Sequence, residues 1–293
     1  MASSKEIKNR MSGISDTMKI TNAMYMISSS KLKKAKEDLE KTEPFFYEQQ
    51  NVMAAILGQI PDLDNMYFTR GAGVVDKDKR RAYIVITADK GLAGAYNHNV
   101  LKHAEERFIE GDNFKLYVVG ELGRQYFARA GYNMDRAFNY TVQNPTLHRA
   151  RVIARQVITD FERDLIDEVD IIYTKMENAF KMVPARWELL PLKKRDYLPK
   201  EKGQYEEIFS YHPNVDAVVN HLVPDIVTGY IYGALVEAYA CEQNSRMMAM
   251  QSATDNAREM LHDLNIAYNR SRQGAITQEI TEVIAGAMAQ KNK

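Results

Sequence analysis

The residues whose types and spacing could do chemistry fall in two places. The first is Thr87-Ala88-Asp89-Lys90-Gly91-Leu92-Ala93-Gly94-Ala95-Tyr96-Asn97, a glycine-bearing turn between an apolar, strand-like run and a helix-like run. A nucleotide-binding α/β domain carries its phosphate loop at such a turn, where backbone N–H groups and a helix N-terminus meet the anion. This stretch satisfies neither GxGxxG nor the P-loop pattern, having only Gly91 and Gly94 and no Lys-Ser/Thr pair at the helix start. A tight turn that glycine permits is the plainer reading. The alternative it leaves open is a nucleotide-binding α/β enzyme dimerised through long helices.

The second place holds Glu279 and Glu282, three residues apart on one helical face. Paired carboxylates can act as acid and base, yet on an exposed helix they more often serve recognition or solvation. Elsewhere the candidates thin out. His98, His103, His148, His212, His221 and His262 are scattered without HExxH-type spacing, so no metal site is expected. The single cysteine, Cys241, excludes a disulfide framework or a multi-cysteine metal site within one chain. With no Ser/His/Asp order and no nucleophile elbow, neither catalytic residues nor a cofactor are expected.

The elements that would position these groups are unusually long. From about Asp225 to Ala289 the chain contains no proline and keeps a helical apolar repeat. Val236, Ala240, Met247, Met250, Thr254, Ala257, Leu261, Leu264, Tyr268 and Ala275 recur at heptad-like steps, a seam that needs a partner helix. Residues 3 to about 57 supply one, through Ile7, Met11, Ile14, Met18, Thr21, Tyr25, Ser28, Leu32, Ala35 and Leu39. Because one helix opens the chain and the other closes it, an antiparallel intramolecular coiled coil is the economical pairing. Pro44 is expected to interrupt or bend the first helix, and Pro224 to kink the chain just before the second. Beyond the seam, Val283-Ile284-Ala285-Gly286-Ala287-Met288-Ala289 reads as apolar on every side and asks for an enclosing socket on another molecule.

Between the helices the texture changes. Residues 58–80 are polar and turn-rich and read as a linker. Residues 81–212 alternate strand and helix signals: strands at 82–87, 115–119 and 169–175, and helices near 95–110, 122–130 and 146–165. An edge strand is possible at 187–192, and Lys193 to Gln204 reads as a mobile charged loop. The expected fold class is therefore α/β, a long antiparallel coiled coil of residues 1–57 and 213–293 with an inserted Rossmann-like parallel-sheet domain. The basic run Lys31-Leu32-Lys33-Lys34-Ala35-Lys36 is either a solvated face or a complement to an acidic partner segment.

The 293 residues balance 39 Lys+Arg against 39 Asp+Glu, and this neutrality gives no support to a nucleic-acid or anionic-membrane role for the whole chain. No stretch approaches the roughly 20 apolar residues of a membrane span, and the charged start lacks an apolar signal core. A cytosolic or inner-face peripheral location is expected.

Several motifs carry a family likeness. Lys5-Glu6-Ile7, Arg10, Ile14, Thr17, Lys19-Ile20-Thr21, Ala23-Met24, Met26 and Lys31 resemble the N-terminal helix of the γ subunit of rotary F-type ATP synthases. So do Arg246-Met247, Ala249-Met250, Ala253-Thr254-Asp255-Asn256-Ala257, Tyr268-Asn269, Arg272-Gln273, Ile276 through Glu282 and Gly286-Ala287 at the other end, and Thr87 through Asn97 in the middle. Ala93 stands where many members have cysteine, and no dithiol-bearing insert of the chloroplast kind is present, so thiol regulation is not implied and a bacterial source is.

The resemblance implies a non-catalytic rotor shaft of the central stalk, coupling rotation of a membrane ring to the conformational cycle of catalytic β subunits. Its partners would be three α and three β subunits, the ε subunit and the membrane c-ring, at the cytoplasmic face of the bacterial cell membrane. By motif position it implies contacts to the α/β barrel at Met24, Arg246, Arg272, Gln273, Thr277, Glu279 and Glu282. It implies a bearing tip at Val283, Ile284, Ala287 and Met288.

Overall fold

The computed structural model describes residues 4–108, 114–178, 180–197 and 211–291. Two helices dominate it: α1, Ser4–Gln59, and α6, Val215–Lys291, of 56 and 77 residues. Their spans match those read from the sequence, and neither Pro44 nor Pro224 interrupts its helix. A helix-interior proline costs about 3 kcal/mol through a lost N–H bond and a clash with the preceding turn. Around Pro224 the cost is offset by packing: Val219, Val223, Ile226 and Val227 are all buried. Phe46 does the same near Pro44, packing its ring 6.2 Å from that of Tyr232.

The chain forms two compact units, Met1–Ser28 with Arg246–Lys293, and Ser29–Ser245. In the first, the helix pair follows the expected seam. Ile7, Met11, Ile14, Met18 and Tyr25 are half-buried and Thr21 and Ser28 buried, and on α6 Met250, Thr254 and Ala257 are buried. The two helices come closest through small residues, where the hydroxyls of Thr21 and Thr254 lie 2.7 Å apart. Each hydroxyl is also within reach of a carbonyl of its own helix, Met18 O (3.1 Å) or Met250 O (2.9 Å), so one donates across the pair while the other donates to its own helix. Either Thr→Val change alone is expected to lower stability by about 1 kcal/mol, because one buried hydroxyl loses a partner. The double change should cost about the same as one, since both polar groups are then replaced by apolar groups of similar shape. Urea unfolding of the three variants checks this, and strict additivity would refute it.

The second unit holds a four-stranded sheet in the order β2-β1-β3-β4. Strands β1 (Arg81–Ile86), β2 (Lys115–Val119) and β3 (Glu168–Met176) are parallel, as expected from their buried, β-branched runs. The sheet is nevertheless mixed: β4, Met182–Leu190, pairs antiparallel with β3 through a hairpin and is longer than the edge strand read at 187–192. Pro184 is tolerated there because β4 lies at the sheet edge. Helices α3 (Tyr96–Glu105), α4 (Glu121–Arg129) and α5 (Leu147–Glu162) complete the domain, α3 ending five residues early.

Alternate strand residues feed two cores. Ala82, Ile84, Ile86, Val169 and Ile171 join the cluster containing α5, α1 and α6 residues such as Phe161, Leu57 and Leu235. Tyr83, Val85, Leu116, Val118 and Ile172 pack with Val100, Leu101 and Phe127 on the other face.

Residues 58–80 are more than a linker. Leu63 and Tyr67 are buried, Tyr67 stacks on Phe161 with centroids 6.1 Å apart, and Asn65 caps the short helix α2, Met66–Thr69, while donating to Asp216 and Asn220. Of the charged loop read at 193–204, Lys194–Asp196 forms a 3-10 turn and residues 198–204 lie outside the described residues.

Asp170 is the unusual charge in this domain, buried in β3 with its carboxylate 2.7 Å from Arg186. Burial pushes its carboxyl up to about 6 against the pull of Arg186, with Glu168 and Glu188 adding to the rise. The folded protein therefore holds a proton that the unfolded chain has already lost at about pH 4, so this group's contribution falls as pH rises through that window. Retaining the proton across that window corresponds to about 3 kcal/mol. Asp170→Asn is expected to gain on the wild type by about that amount between pH 4 and pH 7, read from urea midpoints; parallel pH profiles would refute the assignment.

Candidate functional site

The helical pairing stops before α6 does. Seam residues Leu261, Leu264 and Tyr268 are half-buried, Ser271 is the last half-buried residue, and every residue from Arg272 to Met288 is exposed. The register explains the stop: with Thr21 opposite Thr254, α1 reaches its first described residue, Ser4, at about the level of Ser271. Ala275, expected on the seam, meets no described residue of α1 and is exposed. The 20 residues from 272 to 291 extend α6 by ~30 Å at 1.5 Å per residue.

That segment is organised by face. Ile276, Ile280, Val283, Ile284 and Met288 are all exposed, and their spacing of three and four places them in one stripe. Ala287, Gln273 and Thr277 fall within or beside it. At 3.6 residues per turn the stripe is rotated roughly 140° from the seam that faces α1, so it does not continue the intramolecular contact. Ala275, Glu279, Glu282 and Gly286 lie on the seam side instead. The reading of residues 283–289 as uniformly apolar is thus refined: the large side chains share one face, and alanine and glycine occupy much of the rest. An exposed apolar stripe of this length marks a surface that another molecule covers.

Polar groups on this segment are held by the helix itself. Thr277 donates to Gln273 O at 2.9 Å, Thr281 to Thr277 O at 2.7 Å, and Gln278 to the Glu282 carboxylate at 2.9 Å. Of the residues singled out in the sequence, Arg272, Gln273, Thr277, Glu279, Glu282, Val283, Ile284, Ala287 and Met288 come together here. Met24 and Arg246 do not, since both belong to the paired part. Met24 is half-buried and Arg246 only 8% exposed, which turns Arg246 inward in the isolated chain. Sequence reasoning quoted Ile276, Ile280, Ile20 and Met26 only as motif residues without a contact role and did not name Ile27; all five are exposed. The signal available was their apolar character at positions off the seam.

At the Asp89–Gly94 turn, the side chains of Asp89 and Asn97 are engaged within the domain. Asp89 accepts from Glu121 N (3.1 Å) with one oxygen and from Val142 N (3.0 Å) and Gln143 N (3.2 Å) with the other. Asn97 accepts from Ala88 N at 2.9 Å, and Ala88, Ala93, Tyr96 and Cys241 form a small buried cluster. Tyr96 donates to Ala238 O at 3.0 Å, fixing this corner to α6. Burial raises the Cys241 thiol to about 12, with Glu237 adding to the rise, which keeps it protonated and unreactive. Lys31, Lys33, Lys34 and Lys36 are exposed around buried Ala35.

A family model described as ATP synthase matches residues 3–289. Among curated proteins, the ATP synthase gamma chain of Acetivibrio thermocellus is 45% identical over 299 aligned residues, covering 99% of this chain and all of the relative. That of Staphylococcus carnosus is 35% identical, covering 99% of each. Among solved structures, the central stalk and c-ring of the Tetrahymena thermophila mitochondrial ATP synthase contains a chain 26% identical, with a TM-score of 0.56, covering 80% of this chain and 99% of that one. A chain of the Euglena gracilis mitochondrial ATP synthase shares the fold at 16% identity, with a TM-score of 0.67 over 98% of this chain and 94% of that one. Among the described residues, no helix is long and apolar enough to cross a membrane.

Proposed function

Since this chain belongs to the ATP synthase γ-chain family, we propose that the free end of α6 is the part of a central rotor shaft that turns inside a barrel of α and β subunits. The observation that carries this is the exposed apolar stripe at 276–288, rotated away from the face of α6 that pairs with α1. The chain is the central-stalk subunit that couples rotation of the membrane ring to the catalytic cycle of the β subunits, with ε and the c-ring as its partners at the foot.

The contacts divide by chemistry. Apolar contacts are non-directional, so Val283, Ile284, Ala287 and Met288 suit a bearing that slides at every angle. Hydrogen bonds and charge pairs are directional, so Gln273, Thr277, Glu279, Glu282 and Arg272 suit contacts that favour particular angles. Met24 and Arg246 act lower on the paired helices, Arg246 through a rearrangement that exposes its guanidinium.

The chain itself performs no chemistry. In its one phosphate-loop-like turn, Asp89 and Asn97 accept from backbone N–H groups of the same domain, which favours a structural role for that turn over nucleotide binding. Its place in the cell is peripheral, on the cytoplasmic face of the membrane, held there by partner subunits.

The test is ATPase activity of separately purified α and β subunits with and without this chain, with gel filtration for a complex. Activation and a complex holding one copy per three α/β pairs are expected. A folded chain that neither activates nor co-elutes would overturn the reading.

A further inference from the structure

We propose that the cleft between α1, α6 and the β3–β4 hairpin is a binding site for a small organic cation with an apolar body, of the aryl ammonium class. The cleft has a volume of about 230 Å³ and lies wholly within the larger unit. Five aromatic rings, Phe46, Tyr47, Tyr173, Trp187 and Tyr230, and two carboxylates, Glu43 and Glu237, define its character, and among the described residues no lysine or arginine lines it. Ring faces carry negative electrostatic potential, and a cage of them beside carboxylates attracts a weakly hydrated cation.

The parts are held in place. Trp187 and Tyr230 have centroids 5.6 Å apart. Glu237 accepts from Met176 N at 3.0 Å and from the Tyr173 hydroxyl, and Glu43 accepts from Tyr47 OH at 3.0 Å, so both carboxylates are anchored. On the α6 side, Gly229 and Gly233 alternate with Tyr230, Ala234 and Glu237. A Cβ at Gly229 would strike the Phe46 ring at 2.3 Å, whereas one at Gly233 would meet nothing within 4 Å. The empty space therefore reaches the helix backbone at Gly233.

Other ligand classes fit worse. An anion would face two carboxylates with no cation to offset them. A neutral apolar molecule would strip water from Glu43 and Glu237 and return nothing. A compact ammonium on a benzyl-sized body satisfies both the volume and the charge.

Trp187 is the only tryptophan in the chain, so its fluorescence reports occupancy directly. Titrating the full chain with benzyltrimethylammonium is expected to give a saturable change that 4-tert-butylbenzoate does not. The double variant Glu43→Gln/Glu237→Gln keeps both acceptor oxygens but removes the charges, and should bind the cation at least ten-fold more weakly. Gly233→Leu fills the cleft and should abolish the response while keeping the helical circular dichroism, leucine being the better helix former. No saturation in the folded wild type, an equal response to the benzoate, or undiminished binding by Gly233→Leu would each overturn the site. Should Gly233→Leu fail to fold, undiminished binding by the double glutamine variant does so instead.

Discussion

Replacing both Ile280 and Ile284 with aspartate is expected to leave the isolated chain folded and to weaken its complex with α and β subunits by roughly four orders of magnitude. The two side chains are 54% and 51% exposed, on a part of α6 that folding does not bury. Exposed substitutions of this kind change stability by about 0.5 kcal/mol each, mostly through helix propensity. In an apolar socket the same carboxylates lose their hydration without gaining a cation, at about 3 kcal/mol or more apiece. About 6 kcal/mol in total is a factor of roughly 10⁴ in affinity.

A matched pair separates the stripe from the helix as a whole. Gln278→Asp/Ala285→Asp adds the same charge to the same segment on the face opposite the stripe, and should weaken the complex by less than about ten-fold. Circular dichroism establishes that both variants remain helical, and gel filtration with the partner subunits reads the difference. If the isoleucine variant binds as well as the wild type, the stripe is not the surface that enters the barrel.

The long helices were legible in the sequence because heptad spacing fixes a face. Ile7, Met11, Ile14, Met18, Thr21, Tyr25 and Ser28 are the half-buried or buried positions that their three- and four-residue steps require. What spacing could not show was where the partner helix ends. Ala275 keeps the periodicity as well as Tyr268 does, and only the Thr21–Thr254 register shows that the described part of α1 does not reach it. That neither proline ends its helix has a related cause. The cost of a proline is local and about 3 kcal/mol, while the burial that overrides it at Val219, Val223, Ile226 and Val227 is tertiary and invisible in a window around Pro224.

In the inserted domain the three central strands were legible as continuous apolar runs. The hairpin direction of β4 was not, since Met182 to Arg186 alternates weakly and contains Pro184. The candidate site divides the same way. Residues named by motif position cluster on the free end of α6, but Arg246 is buried although its motif places it with them. Ile276 and Ile280 lie within the motif, yet their role as a stripe depends on knowing that nothing among the described residues covers them.

Gly120→Ala is expected to be the most damaging small substitution in the inserted domain, lowering stability by about 4 kcal/mol. Gly120 closes the turn from β2 into α4 with φ at +99°, a region that side chains rarely adopt. An added Cβ would also lie 2.2 Å from the Thr87 carbonyl oxygen and 2.6 Å from its hydroxyl. Neither atom is free to retreat, because Thr87 is tied on both sides of the turn. Its N–H donates to Val119 O at 2.9 Å, and its hydroxyl donates to the same carbonyl at 3.1 Å while accepting from Gly123 N at 3.0 Å. The Asp89 bracket begins two residues later, so a displaced Thr87 would pull on the contacts to Glu121, Val142 and Gln143 as well.

Gly131→Ala provides the comparison that isolates the clash. Gly131 also has positive φ, at +82°, but an added Cβ would meet nothing within 4 Å. It should therefore show backbone strain alone, about 1 kcal/mol. At roughly 2–4 °C per kcal/mol for a protein of this size class, the two alanine variants should differ in Tm by about 10 °C. Equal Tm values would mean that the β1–α4 junction yields to a methyl group, and the tight docking of Gly120 on Thr87 would then not be what orders the end of the sheet.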